Sequence, residues 1–317
     1  MALLRKLLVI SMLLFASVLS AQPGPAVGGG YVLTTLLKVA PGQVITLFIP
    51  GVARDLESLV RASATPLPTT LAGISITLYQ RRGTSPIPVP IFAVEPWETC
   101  PAGLYLTCTS ERLTAVTIQI PYELTPNVPG GSLFARSEAF LAVSENGAEG
   151  PGFRVMPVLD RIHILNRCDS AVPFGYRGAV CEPLVTHANG AFVTPSNPAR
   201  SNEAIVLYAF GLGRPAGEVE TGTPTLAPTP VADVGDGLRV RFDFSANAEP
   251  SEPLSDSTLA PEYSGLVQGE IGLYQINVRL PQIPVDTPLC TGSVNSNLTV
   301  SVGGVGSFDG ARLCAEP

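Results

Sequence analysis

Apolar and polar residues alternate over short stretches along most of this chain, the period of half-buried β-strands. In GLYQINVRLP (residues 272–281), Ile276, Val278 and Leu280 fall on one face and Asn277 and Arg279 on the other, and Pro281 ends the run. AVTIQIPYEL (115–124) has the same form, with Val116, Ile118 and Ile120 against Thr117 and Gln119, closed by Pro121. QVITLFIPGV (43–52) and EAIVLYAFGL (203–212) form a second matched pair. Both pairs share one offset of 160 positions, which aligns Ile45 with Ile205, Leu47 with Leu207, Gly51 with Gly211 and Pro121 with Pro281. GISITLYQ (73–80) parallels GLRVRFDF (237–244) at an offset of 164, and AFLAVSENG from Ala139 parallels NLTVSVGG from Asn297 at 158. Four strand-like segments therefore recur in the same order in both halves, the mark of a duplication. The apolar face of each repeated strand is expected to line a core and the polar face (Thr117, Gln119, Asn277, Arg279) to point outward. No helical period follows the first twenty residues. These patterns predict an all-β protein of two tandem immunoglobulin-like β-sandwich domains, residues 31–159 and 202–317, joined by a connector at 160–201.

Composition fits a globular chain: 45% of the 317 residues are hydrophobic and 14% charged. Gly and Pro number 31 each and are dispersed, as expected where many turns separate short strands. The first 21 residues read as a secretory signal peptide, with Arg5 and Lys6 ahead of the apolar stretch Leu7–Leu19 and the small residues Ser20 and Ala21 at the cleavage point. No cysteine follows that point directly, so a lipoprotein anchor is not expected. No membrane span is expected after cleavage either, because Pro41, Gly42 and Pro50 interrupt the best later candidate. Loss of Arg5 and Lys6 lowers the 19 basic residues to 17 against 26 acidic ones, a net charge of −9. An acidic surface excludes nucleic acid and anionic lipid as expected partners.

Six cysteines in an exported chain point to disulfides. Fifteen connectivities are possible. The local one, Cys100–Cys108, Cys168–Cys181 and Cys290–Cys314, brackets one Gly/Pro-rich excursion with each pair and is the expected one. The Cys168–Cys181 excursion would clip the connector, which continues through the turn signal Asn189-Gly190 and the stiffening prolines Pro195 and Pro198.

HANGAFVTPSNPARSNEAIVLYAFGLG (187–213), GLYQINVRLP and SNLTVSVGGV (296–305) resemble an uncharacterised C-terminal domain family of acidobacterial exported proteins, the Solibacter-type family. APGQVITLFIPGV (40–52) is similar to the opening of an IPT/TIG domain, an immunoglobulin-like fold. The first resemblance covers about Thr186 to Gly304 and the second part of the first half. Together they imply a secreted, periplasmic or cell-surface tandem of Ig-like modules, with no activity or catalytic residues to transfer.

Motifs for chemistry are sparse. The sequence has no GxSxG elbow, HExxH or P-loop. The glycine string Gly211, Gly213 and Gly217 lacks the spacing and βαβ context of a dinucleotide site. His163 and His187 are the only histidines. Either could serve a Ser–His–Asp site, but His163 alternates with Ile162 and Ile164 as on a strand's polar face, and His187 lies beside a turn where a surface residue is ordinary. Asp233 and Asp236 do not form an EF-hand pattern, and Glu249, Glu252 and Asp256 read as an exposed acidic loop. Trp97 with Tyr105, in a proline-flanked loop, is the one candidate ligand platform; the alternative role for Trp97 is to plug one end of a core. No cofactor or metal site is expected. The resulting expectation is a non-enzymatic exported structural or interaction protein that binds a protein or an envelope glycan through sandwich edges and loops. A carbohydrate-binding module and a secreted hydrolase are the alternatives.

Overall fold

A computed structural model describes residues 26–28, 36–80, 85–97, 112–127, 138–171, 178, 181–231, 237–245, 248–250, 258–288, 290, 297–302 and 306–317. The signal segment, Cys100, Cys108, Tyr105, Asp233, Asp236, Glu252 and Asp256 lie outside these residues. Among the described residues every regular element is a strand. None is a helix long and apolar enough to cross a membrane.

Strands are numbered in chain order. One sheet has the order β1 (Ala26–Gly28), β3 (Val44–Pro50), β9 (Leu113–Gln119), β8 (Ile91–Trp97), β4 (Val60–Arg61). A second has the order β2 (Leu37–Val39), β11 (Ala148–Pro157), β10 (Ala139–Glu145), β6 (Ile74–Gln80), β5 (Thr70–Leu71), with β7 (Ile87–Pro88) also on β6. A third runs β12 (His163–Ile164), β15 (Ala204–Phe210), β19 (Tyr274–Arg279), β18 (Tyr263–Leu266), β16 (Thr229–Pro230), with β13 (Val185–His187) also on β15. A fourth comprises β17 (Leu238–Phe242), β20 (Leu298–Val302) and β21 (Phe308–Ala311), while β14 (Ala199–Arg200) and β22 (Ala315–Glu316) pair in parallel.

The alternation seen in the sequence becomes burial. Ile45, Leu47 and Ile49 of β3 and Val116 and Ile118 of β9 meet Ile74, Ile76 and Leu78 of β6 and Leu141 and Val143 of β10 in one core. Ile205 and Leu207 of β15 and Ile276 and Val278 of β19 meet Leu238 and Val240 of β17 and Leu298 and Val300 of β20 in another. Each fully buried aliphatic side chain contributes about 1.5–3 kcal/mol.

The repeated segments also pair alike. Val44 lies opposite Gln119 and Ile45 opposite Ile118, while Ala204 lies opposite Arg279 and Ile205 opposite Val278. The offset of 160 therefore holds for both strands of the ladder. The last repeated segment needs a correction. Ile74 pairs with Glu145, and Leu238 pairs with Val302. With Leu238 aligned on Ile74, Val302 aligns on Glu145, an offset of 157 rather than 158. An offset of 158 lays exposed Phe140 on buried Leu298. A one-residue slip exchanges the two faces of a strand, and core burial selects the other parity.

Residues 160–201, read in the sequence as a connector, supply β12 and β13 to the third sheet. Among the described residues two disulfides close, Cys168–Cys181 and Cys290–Cys314, with Cα separations of 4.7 and 5.2 Å. Such bonds fit an oxidising, extracytoplasmic environment.

Candidate functional site

Two carboxylates, Asp169 and Asp309, gather around His163. Strand β12 is short and antiparallel to β15, with His163 opposite Phe210. The imidazole is buried, only 4% exposed. The polar face of the strand, on which alternation places the residue, is covered: Asp169, six positions on, and Asp309, 146 positions on, receive the ring. Nε2 lies 2.7 Å from Asp169 Oδ2 and Nδ1 lies 3.0 Å from Asp309 Oδ2. Asp309 Oδ2 also accepts from Ile164 N, and Asp169 Oδ2 from Asn166 N, both at 2.8 Å. Burial alone would push the imidazole pKa down. The hydrogen bonds and charges of Asp169 and Asp309 outweigh it and raise the value to about 9. Both ring nitrogens donate, so the imidazolium ties β12 to β21 and to the loop that Cys168–Cys181 closes.

Next to it, Asp160 accepts from Ser307 N at 2.7 Å and Ser307 Oγ at 2.6 Å, and Ser307 Oγ accepts from Ile162 N at 2.8 Å. Burial raises the Asp160 pKa, opposed by the two Ser307 hydrogen bonds and by the charge of Arg161. The serine hydroxyl hydrogen is committed to a carboxylate rather than poised on a histidine.

His187 is buried too, which corrects its reading as a surface turn residue. Its Nδ1 lies 2.5 Å from Glu203 Oε1 and its Nε2 3.1 Å from the Asn197 carbonyl. Glu203 Oε2 accepts from Arg200 N at 2.9 Å. Burial pushes the Glu203 carboxyl up, but the His187 and Arg200 hydrogen bonds hold it below the usual range. A general base needs a nitrogen lone pair directed at a substrate proton. Both histidines direct both nitrogens at protein oxygens, the chemistry of a structural tie.

A second concentration of polar groups joins the two cores. Gln119, expected to face outward, is fully buried, and its Oε1 accepts from Gly222 N at 2.7 Å. Gly222 O accepts from Leu67 N at 2.7 Å. Tyr122 N donates to Thr221 Oγ1 at 2.9 Å, and Arg214 donates to the carbonyls of Tyr122 and Leu124 at 3.1 and 3.0 Å. The Tyr122 side chain enters the core of the third and fourth sheets. Burial pushes its hydroxyl up to about 12, opposed by contacts with Tyr274 and Gln119. Val44 and half-buried Phe92 pack with Leu165, Leu184, Phe210 and Leu273. The outward end of β9 is therefore an internal joint, because the second half of the chain covers it.

Trp97 ends β8 rather than lying in a loop. Its ring meets Phe48 edge-on, with centroids 5.2 Å apart at 67°, in a satellite cluster with Ala115 and Leu113. It is half-buried there and does not plug an end of the main core. Glu249 is exposed. A cavity of about 10 Å³ near Cys314, lined by Glu182, Thr194, Pro195 and Arg312, has room for about one water. Among the described residues no group of His, Cys, Asp and Glu is arranged to hold a metal ion.

Asp169, Asp309 and the joint at Gln119 escaped sequence reading. Asp309 is 146 positions from His163 and Gly222 is 103 from Gln119, so no local spacing signals either contact. Comparison with known protein families finds no match for the chain, and comparison with curated proteins finds none either.

Proposed function

We propose that this chain is an exported, non-enzymatic structural or interaction protein that binds a protein or envelope partner through the edges and loops of two related Ig-like sandwich units. The observation that carries this reading is the use made of the polar clusters. His163 with Asp169 and Asp309, His187 with Glu203, and Gln119 with Gly222 all bind one part of the chain to another. The chemistry available for a site is spent on holding surfaces in place. The two disulfides serve the same end and fit an oxidising compartment, to which residues 1–21 would direct the chain as a signal peptide. Matching sheet orders and the shared 160-residue ladder offset support a duplicated unit of IPT/TIG-like type.

The test is co-sedimentation of residues 22–317 with cell-envelope fractions. The expected result is saturable pelleting that resists salt. Turnover of ester, peptide or glycoside substrates that disappears in His163→Gln or His187→Gln would replace this reading with a hydrolase.

A further inference from the structure

The outer face of the second sheet carries side chains that its counterpart does not. Strands β6, β10 and β11 lie side by side, and the pairings Tyr79↔Phe140 and Phe140↔Arg154 place these three side chains in one row. Their parity is opposite to that of Leu78 and Leu141, which are buried in the core. Tyr79 is 47% exposed and Phe140 41%. The tip of the Phe140 ring occupies the space that a side chain at Gly152 would fill, 2.1 Å from that Cβ position, so the ring leans across the sheet. Arg154 Nε donates to Glu138 Oε2 at 3.2 Å, and Glu138 lies two residues before Phe140 on the same face.

We propose that Tyr79 and Phe140, with Arg154 and Glu138 beside them, form a platform for a neutral polysaccharide chain. The inference rests on reading the protein as a binding protein, and it names the ligand class. Two exposed rings rising from neighbouring strands offer apolar surface for the C–H faces of sugar rings. Arg154 supplies hydrogen-bond donors and Glu138 acceptors for hydroxyl groups at the end of the row. The Arg154–Glu138 pair is electrically balanced and the chain is acidic overall, at −7, so the face matches an uncharged ligand. Small and hydroxyl-bearing residues (Thr77, Ala142, Ser144) fill the adjacent rows, which leaves the two rings standing on a low, polar surface that an extended sugar chain can cross, without the cluster of large apolar side chains that forms the centre of a protein interface.

The counterpart positions on the fourth sheet differ. Asp243 stands for Tyr79, and Asn297 stands for Phe140. Asn297 is buried and bonded to both N and O of Leu313. The aromatic row therefore belongs to one copy of the repeat, and the strand pattern common to both does not require it.

The experiment is pelleting of residues 22–317 with cellulose, chitin and mannan, alongside the envelope fraction, for the wild type, Tyr79→Ala, Phe140→Ala and Tyr79→Phe. Wild type is expected to bind at least one neutral polysaccharide, with affinity falling about tenfold for each ring removed and largely kept in Tyr79→Phe. Melting temperature checks the fold. Tyr79→Ala leaves Gly152 covered, so it decides the matter if Phe140→Ala unfolds. Unchanged pelleting of Tyr79→Ala overturns the platform. Pelleting with the envelope fraction but with none of the three polysaccharides overturns the platform and leaves the binding reading standing. Pelleting with nothing overturns both.

Discussion

Deprotonating His163 should loosen the protein over a defined pH window. The imidazole pKa is raised from 6.5 to about 9 in the folded chain, where Asp169 and Asp309 hold both nitrogens. In the unfolded chain neither carboxylate is held against the ring and the value returns to about 6.5. A basic group whose folded-state pKa is raised contributes stability that is fully present below the unfolded value. That stability is lost as pH climbs through the folded value. A difference of about 2.5 units corresponds to about 3 kcal/mol. The ring is fully buried, so solvent screening takes little from this figure. Tyr122 and Tyr274 titrate above the window and leave it clear. The assay is urea denaturation between pH 6 and 9.5, without thiols, for wild type and His163→Gln. Wild-type stability should fall across pH 6.5–9, and the variant, neutral throughout, should start lower by a similar amount and stay nearly flat. A flat wild-type profile, or a parallel fall in both proteins, would falsify the assignment of the imidazolium as a structural tie.

Three further outcomes follow from the geometry. Gly272→Ala places a Cβ 2.7 Å from Gly42 O at a residue with φ +67°, so it should destabilise the chain by roughly 1–3 kcal/mol or more, read as a lower urea midpoint; an unchanged midpoint would show that the halves do not meet there. Gln119→Met leaves the buried Gly222 N–H without its acceptor and should cost about 1–3 kcal/mol, measured the same way; a neutral result removes that bond from the joint. Peptide mapping without reduction should recover Cys168 linked to Cys181 and Cys290 linked to Cys314, and removing either bridge by paired serine substitutions should cost about 2–4 kcal/mol; crossed linkages would contradict the fold.

Alternation in the sequence determined which residues of each repeated strand face a core, because side chains on a strand project with a period of two whatever the strand packs against. Val116, Ile118, Ile276 and Val278 all lie where that rule puts them. Sequence proximity was also enough to pair Cys168 with Cys181 and Cys290 with Cys314. Other features were decided only when the chain closed on itself. Alternation marks Gln119 as off the core but says nothing about whether water or another part of the protein covers that face, and here the loop at Thr221 and Gly222 covers it. Burial of the two histidines was not legible, because a lone imidazole pays to leave water and only the fold brings up the carboxylates that offset the cost. The register of the last repeated segment was hidden in β10, where residues 139–143 are all apolar and alternation does not tell which of them face the core; only the fold turns Phe140 outward and Leu141 inward. The exposed row of Tyr79 and Phe140 exists because three strands came into one register, and register is a property of the sheet and not of any strand within it.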